Sequence, residues 1–468
     1  MKILLIATNR ERSPMPVAPL GALMVAAAAQ RAGHAVDVLD LAFKRNPVAA
    51  ARKAVRKTRP ELVGLSIRNL DNCFYCAPKS YTAESVVIAN AVRAETDAPM
   101  VVGGCGFSVE PAGWMERLPV DYGVVGEGEK PFLALLDAVS ANKTVPEIPG
   151  LIRAKNPQQA LAARPDFADS FDCPAHALIN YKPHLKNGGF VSIQSKRGCP
   201  YQCIYCIYPQ IEGRAYRLRD PEAIADEMAR VIADKEAKSF FFTDSVFNCP
   251  RDHAMQICEA LRRKNIGAAW MAYCNPEGYD RELAEAMQAA GCVGVEFGLD
   301  AATNKMLGNM GKSFSQDDIA RALQANHDIG LPSALHFLFG GPGETWEDIR
   351  ETQDFIDQCA TPEAVFASMG IRIYSGTPLE KIARDEGVLG EKANLFMPHY
   401  YVSPALGDNV MAQLDHIARR RPEWTTATDW LRRDMRLIQG LINRLGMRPQ
   451  WKNIRNYGRR MRKQTRDG

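Results

Sequence analysis

The chain is 468 residues long, 46% hydrophobic and 24% charged, with 58 Lys or Arg against 54 Asp or Glu. That length points to two to four domains, and the composition is that of an ordinary soluble protein with ample material for buried cores. Twelve cysteines at irregular spacings in so long a chain do not make a secreted disulfide framework.

The N-terminus runs straight into a strand, Lys2 to Thr8, with no signal-peptide hydrophobic region. The most apolar helical stretch, Gly21 to Ala29, is far short of the ~20 residues that span a bilayer. A cytoplasmic, reducing and oxygen-sensitive protein is expected.

The first ~145 residues alternate strand and helix at short intervals. Strands are predicted at Ile3–Ala7, Val36–Leu39, Leu62–Ile67, Met100–Gly103 and Tyr122–Val125, with helices at Gly21–Arg31, Pro47–Lys57, Ala83–Glu95 and Glu129–Ser140. The continuously apolar runs at Leu62 and Met100 suit parallel strands covered on both faces. This is a doubly wound α/β pattern, whose ligands sit beyond the carboxyl ends of the strands. A proline-rich connector follows from about Val145 to Gly188.

A second alternation then places strands at Phe190–Gln194, Phe240–Thr243, Ala268–Tyr273, Val293–Gly298, Ala334–Phe339 and Phe366–Ile373. Asp220-Pro221 reads as a cap followed by a first-turn proline, and Thr345 starts another helix. After about Gly390 the pattern is helical and basic, with fifteen Arg or Lys against three acids from Arg419 to Arg466. That tail suits either an anionic partner (a phosphorylated substrate, a lipid surface or RNA) or a solvated face. The solvated face is favoured, with Trp424, Trp430, Leu431, Leu437, Ile438 and Leu441 packing inward.

The densest chemical signal is Arg197-Gly198-Cys199-Pro-Tyr-Gln-Cys203-Ile-Tyr205-Cys206. Three thiolates on one short loop can hold three irons of a [4Fe–4S] cluster and leave the fourth open to a ligand. Zinc would want a fourth Cys or His at matching spacing, and none follows nearby. This Cys-x3-Cys-x2-Cys run resembles the radical S-adenosylmethionine (SAM) superfamily, in which the open iron chelates SAM and an electron cleaves it.

The other strand ends extend the likeness. Asp244, Ser245 and Asn248 stand where family members often carry a motif for the SAM amino group. Glu296, Gly298 and Asp300, with Lys312, resemble the region that contacts ribose and carboxylate. Gly340-Gly341-Pro-Gly-Glu-Thr345 and Tyr374-Ser-Gly-Thr-Pro378 match two further segments. Tyr205, just before the last thiol, is a candidate for both catalysis and cofactor contact.

The N-terminal segments around Val17, Gly33, Ser66-Ile-Arg68-Asn69, Gly103-Gly104 and Gly126-Glu127-Gly128-Glu129 resemble the cobalamin-binding radical SAM group. The resemblance covers residues 1 to about 385. It implies an α/β protein with a Rossmann-like cobalamin-binding domain (1–145), a linker (146–188), a partial (β/α)6 barrel as radical SAM core (189–388) and a basic helical C-terminal region (389–468).

It further implies three cofactors: the cluster, SAM and cobalamin. Thr8-Asn9-Arg10-Glu11 replaces the Asp-x-His-x-x-Gly motif that ligates cobalt in other cobalamin proteins, so a cobalamin without a histidine ligand from this domain is expected. Arg68 is the candidate for the lower side of the cobalt, or else for a phosphate or propionamide contact.

Cys73, Cys76 and Cys105 read either as spare thiols or as hydrogen-atom or electron donors near the corrin. His253, His327 and His399 read as capping or core residues, whereas His336 alternates within a barrel strand on the active-site side. The implied activity is C-methylation of a poorly activated carbon through a 5′-deoxyadenosyl radical and methylcobalamin. Ring closure or rearrangement without net methylation is the alternative, and a cobalamin- or cluster-based sensor a distant third. Expected partners are a small-molecule, natural-product or lipid-precursor substrate and an electron donor such as flavodoxin or ferredoxin. No nucleic acid is expected, and the basic C-terminus allows peripheral membrane contact.

Overall fold

The computed structural model describes residues 1–154, 167, 171–431, 440, 442 and 448–453. The first sheet has the order β2 (Ala35–Asp40), β1 (Lys2–Ala7), β3 (Leu62–Ser66), β4 (Met100–Gly103), β5 (Tyr122–Val124) and β6 (Leu151–Arg153). The pairs among β1 to β5 are parallel, and β6 closes the edge antiparallel to β5. Apolar clusters cover both faces: Leu4, Ile6, Val63 and Leu65 pack on one side, Ile3, Leu5, Leu62 and Val101 on the other. That two-sided burial is why the strands read as unbroken apolar runs. Strand order reverses between β1 and β3, and the carboxyl ends on either side of such a switch point leave a crevice for ligands.

The second sheet is parallel throughout and follows chain order: β7 (Val191–Ile193), β10 (Ser239–Phe242), β11 (Ala269–Cys274), β12 (Cys292–Asp300), β13 (Ser333–Phe339), β14 (Ala364–Met369) and β17 (Trp424–Thr426). Two short antiparallel ribbons hang from it. One pairs β8 (Lys196–Arg197) with β9 (Arg217–Leu218); the other pairs β15 (Ile371–Arg372) with β16 (Tyr400–Tyr401). Side chains alternate between the two faces, with register shifts along β12. Phe240, Trp270, Phe297, Phe337 and Val365 face the helices in the large core, whereas Phe190, Phe241, Met271, Ala334 and Ala364 face the lumen.

All six strands anticipated for the barrel are present, and β17 adds a seventh. It went unread because Trp424-Thr-Thr is only three residues long and follows a run of arginines. Trp424 is buried on it. Leu437, Ile438 and Leu441, expected to pack inward, lie outside the described residues, as do the side chains of Trp430 and Leu431 and the basic run beyond Asn453.

Helix starts follow the local chemistry. Asp220 accepts from the Ala223 amide at 3.1 Å with Pro221 in the first turn, and Thr345 and Asp348 form a reciprocal capping box. Among the described residues, no helix is long and apolar enough to cross a membrane.

Buried ion pairs join the two sheets. Arg197 on β8 meets Glu127 at 3.1 Å and Glu129 at 2.7 Å, and Arg217 on β9 meets Glu127 at 2.9 Å. On the far side, Arg372 on β15 pairs with Asp71 at 2.9 Å, both almost fully buried. The loop carrying Asp71 therefore reaches from the end of β3 to the end of the barrel.

Candidate active site

The cysteine loop leaves the barrel mouth through the β8–β9 ribbon. Gly198 adopts φ +90°, and a Cβ there would run into the Ala215 carbonyl, so only glycine lets the chain turn toward Cys199. The loop is pinned by Cys199 N–H donating to the Gly213 carbonyl and Ile204 N–H donating to the Met310 carbonyl. Cys199, Cys203 and Cys206 line one cavity together with Tyr201, Tyr205 and Tyr273. Burial raises the Cys203 thiol and pushes Cys206 up to about 12. Thiolates here need a cation or metal to offset desolvation.

Beside the loop stands a charged triad. Asp300, in left-handed conformation at φ +61°, pairs with Lys312 and accepts from the Tyr205 hydroxyl. Lys312 also donates to the Gly298 carbonyl at 3.2 Å. Burial disfavours the lysine's charge, but Asp300 outweighs it and its pKa is raised. Burial and the same carboxylate hold Tyr205 protonated.

A second cavity opens at the switch point of the first sheet. Ala7 and Asn9 from the end of β1, Ser66 and Arg68 after β3, and Gly103 and Gly104 after β4 line it. Gly104 has φ +101°, and a Cβ there would strike the Ile67 backbone. Among the described residues, no histidine lines this cavity. The loop after β1 is held elsewhere, with Arg10 on Glu84 and Glu11 on Lys79 and Tyr81.

The two cavities share a wall. Val17, Arg68, Ser192, Tyr208 and Thr243 border both. Two of these come from the first domain side and three from the barrel, so the sheets face each other across a single cleft.

Two family models match the chain: the B12 binding domain over residues 8–136 and the radical SAM superfamily over residues 193–356. The chain belongs to the cobalamin-binding radical SAM superfamily. Tryptophan 2-C-methyltransferase of Streptomyces laurentii is 27% identical over 80% of this chain and 73% of its own length. An anaerobic magnesium-protoporphyrin IX monomethyl ester cyclase of Rubrivivax gelatinosus is 24% identical over 81% and 68%. A radical SAM methyltransferase, TsrM of Kitasatospora setae, solved with cobalamin and a [4Fe–4S] cluster, superimposes with a TM-score of 0.85. It is 25% identical, and the match covers 100% of this chain and 99% of that one.

Membership brings a [4Fe–4S] cluster, SAM and cobalamin, and the residues present suit them. Three thiols on one loop are a cluster donor set with an open fourth position. Small residues at the ends of β1, β3 and β4 line the cavity between the sheets, leaving the strand ends open to a corrin.

Several sequence-derived contacts move on inspection. Glu127 and Glu129 border the switch-point cavity (the upper cavity, the cysteine cavity being the lower), but their carboxylates are spent on Arg197 and Arg217, which makes them domain-pairing groups. Gly126 and Gly128 keep their place on its wall. Asn69 lines neither cavity; its backbone lies against Gly106 instead.

Asp244 borders the lower cavity, yet it already accepts from the Ser195 amide at 2.7 Å, the Ser195 hydroxyl and the Lys196 amide at 3.2 Å. Its carboxylate fixes the start of the cysteine ribbon. Asn248 bonds the backbone of Asn275 in both directions, and Ser245 donates to the Gly198 carbonyl at 3.1 Å. Gly341 lies outside both cavities, packed against Met310.

Cys105 lines the upper cavity, whereas Cys73 contacts the Tyr374 hydroxyl at 3.1 Å in the interdomain loop, and Cys76 borders neither cavity. Tyr208, Ser192 and Thr243 were missed altogether. Tyr208 lies two residues past Cys206, Ser192 is at an inward position of β7, and Thr243 directly follows β10. The available signal was nearness to a strand end or to the cysteine loop.

Proposed function

We propose that the protein is a cobalamin-dependent radical SAM C-methyltransferase acting on a small molecule held in the cleft between the sheets. The shared wall of the two cavities carries this reading, because methyl transfer between cofactors requires them to open onto one space, with positioning on the order of an ångström. Cys199, Cys203 and Cys206 are the cluster ligands in this account, and the switch-point cavity takes the corrin. When bound, these groups supply the electron, the activated SAM carbon and a methyl carrier; the chain supplies placement and dryness.

Lys312, kept cationic by Asp300, faces the loop as a fixed positive group for a carboxylate or thiolate. Tyr205 stays a hydrogen-bond donor. Arg68, on the common wall, sets a positive charge on the domain side of the substrate space without offering a ligand atom of imidazole type. A reduced flavin or iron–sulfur protein is the electron source in this reading.

Anaerobic turnover with SAM and reductant should release both S-adenosylhomocysteine and 5′-deoxyadenosine. Release of 5′-deoxyadenosine alone would replace methylation by cyclisation or rearrangement. The Co(II) form should show no superhyperfine splitting from a histidine nitrogen in its electron paramagnetic resonance spectrum, since among the described residues no histidine lines the upper cavity. Splitting from a histidine nitrogen would contradict the proposed lower-face environment.

A further inference from the structure

The barrel lumen contains a polar island beyond the cysteine loop. Tyr273 on β11, Glu296 and Gly298 on β12, and His336 on β13 occupy inward positions, while their neighbours Ala272, Phe297 and Leu335 pack outward. The surroundings are apolar: Phe190, Phe241, Met271, Ala334, Ala364 and Trp451 form one buried cluster. A carboxylate in such a place needs its lone pairs satisfied. Glu296 achieves this through His336 Nε2 at 2.9 Å and the Trp451 indole N–H at 3.0 Å.

With Glu296 engaging Nε2, Nδ1 is the ring nitrogen left for a further partner. No hydrogen bond from a described residue reaches that Nδ1, and the side chain remains 32% exposed in the middle of a sheet. A second observation is independent of the first. The register sets Gly298 opposite His336, and a Cβ at Gly298 would meet nothing within 4 Å. Open space therefore lies at Gly298, on the strand position paired with His336. Its walls are aromatic, with Tyr273 5.8 Å from the imidazole and Phe366 stacked on it at 4.8 Å. Tyr273 and Gly298 also line the cavity that holds the cysteines.

We propose that this pocket is the substrate-recognition subsite, in which His336 Nδ1 accepts a hydrogen bond from the ring N–H or phenolic O–H of a flat aromatic substrate. Glu296 is a positioning residue that acts through the imidazole. The proposal rests on the barrel being the substrate end of the enzyme described above. A site built around a buried acceptor rejects an isostere lacking the donor far more strongly than an apolar slot would, because the acceptor is left unpaired.

The test uses holoprotein loaded with cluster and cobalamin, without SAM, and two probe pairs followed by ligand-observed NMR: indole against 1-methylindole, and phenol against anisole. The donor-bearing member of each pair should bind about tenfold more tightly. His336→Phe should abolish that preference and His336→Gln, which restores an acceptor, should recover part of it, with iron content unchanged in both. Gly298→Leu should fill the space opposite the imidazole and exclude all four probes with residue 336 itself unchanged, and it decides the matter if His336→Phe does not fold.

Equal or absent binding of paired probes to the wild type, a preference that survives His336→Phe, or undiminished binding to Gly298→Leu would overturn the proposal. Because no SAM is present, these outcomes are separable from the turnover assay. Methyl transfer with no probe preference would defeat the subsite alone, and a preference without S-adenosylhomocysteine would defeat methylation alone.

Discussion

Replacing Cys199, Cys203 and Cys206 together by alanine should leave well under half of the iron and sulfide bound after anaerobic reconstitution, and no SAM cleavage. The expectation follows from the loop rather than from the thiols alone. Gly198 turns the chain into the cavity where only glycine fits, and the Gly213 and Met310 carbonyls hold the loop ends. The three sulfurs thus sit on one pinned segment, and burial raises the thiols at 203 and 206 unless a metal compensates. Single substitutions should already abolish cleavage of SAM while retaining part of the iron. Near-normal iron in the triple variant would move the cluster elsewhere. Cys73, Cys76 and Cys105 are the remaining thiols on the first-domain side, but they are spread over the interdomain loop and the start of the helix Cys105–Val109.

Asp71→Ala should destabilise the apoprotein by about 3 kcal/mol or more, the usual cost of stranding a buried charge. Arg372 would keep its bonds to the Ile373 and Leu395 carbonyls but lose its acidic partner within a site that is 1–3% exposed. The denaturant midpoint is the measurement, with the slope checked for a change in cooperativity. Asp71→Ala combined with Arg372→Met should recover most of the loss, because replacing both members by apolar groups removes the uncompensated charge. A double variant no more stable than the single one would mean that the loop Asp71–Ser80 matters through shape rather than charge. Loosening this clamp should also reduce coupling between the cofactor sites, since Asp71 and Arg372 belong to opposite sides of the cleft.

The parts of this molecule legible in its sequence are those governed by local chemistry. Apolar runs at Leu62 and Met100 gave buried parallel strands, Asp220-Pro221 gave a helix start, and the spacing from Cys199 to Cys206 gave a loop that gathers three thiols. What escaped was set by long-range pairing. Glu127 and Glu129 carry the right charge and glycine neighbours for a ligand loop. That Arg197 and Arg217 would consume that charge depends on how two sheets dock, which no local pattern encodes. The partners of Asp244 are equally remote, Ser195 and Lys196 lying some fifty residues earlier. Trp451 reaches Glu296 from 155 residues away, within a C-terminal stretch whose composition suggested only a solvated face. His336 was readable because its signal, alternation within a strand, is local.

The most direct test of the shared cleft is the magnetic interaction between Co(II) cobalamin and the reduced cluster in one anaerobic sample. If the cavities at Arg68 share a wall as described, the two paramagnets lie about one SAM plus one substrate apart, and each spectrum should be broadened and relax faster than in samples holding only one of them. Spectra that are the simple sum of the separate cofactors would place them on opposite faces of the molecule. Direct methyl transfer through the cleft would then be wrong.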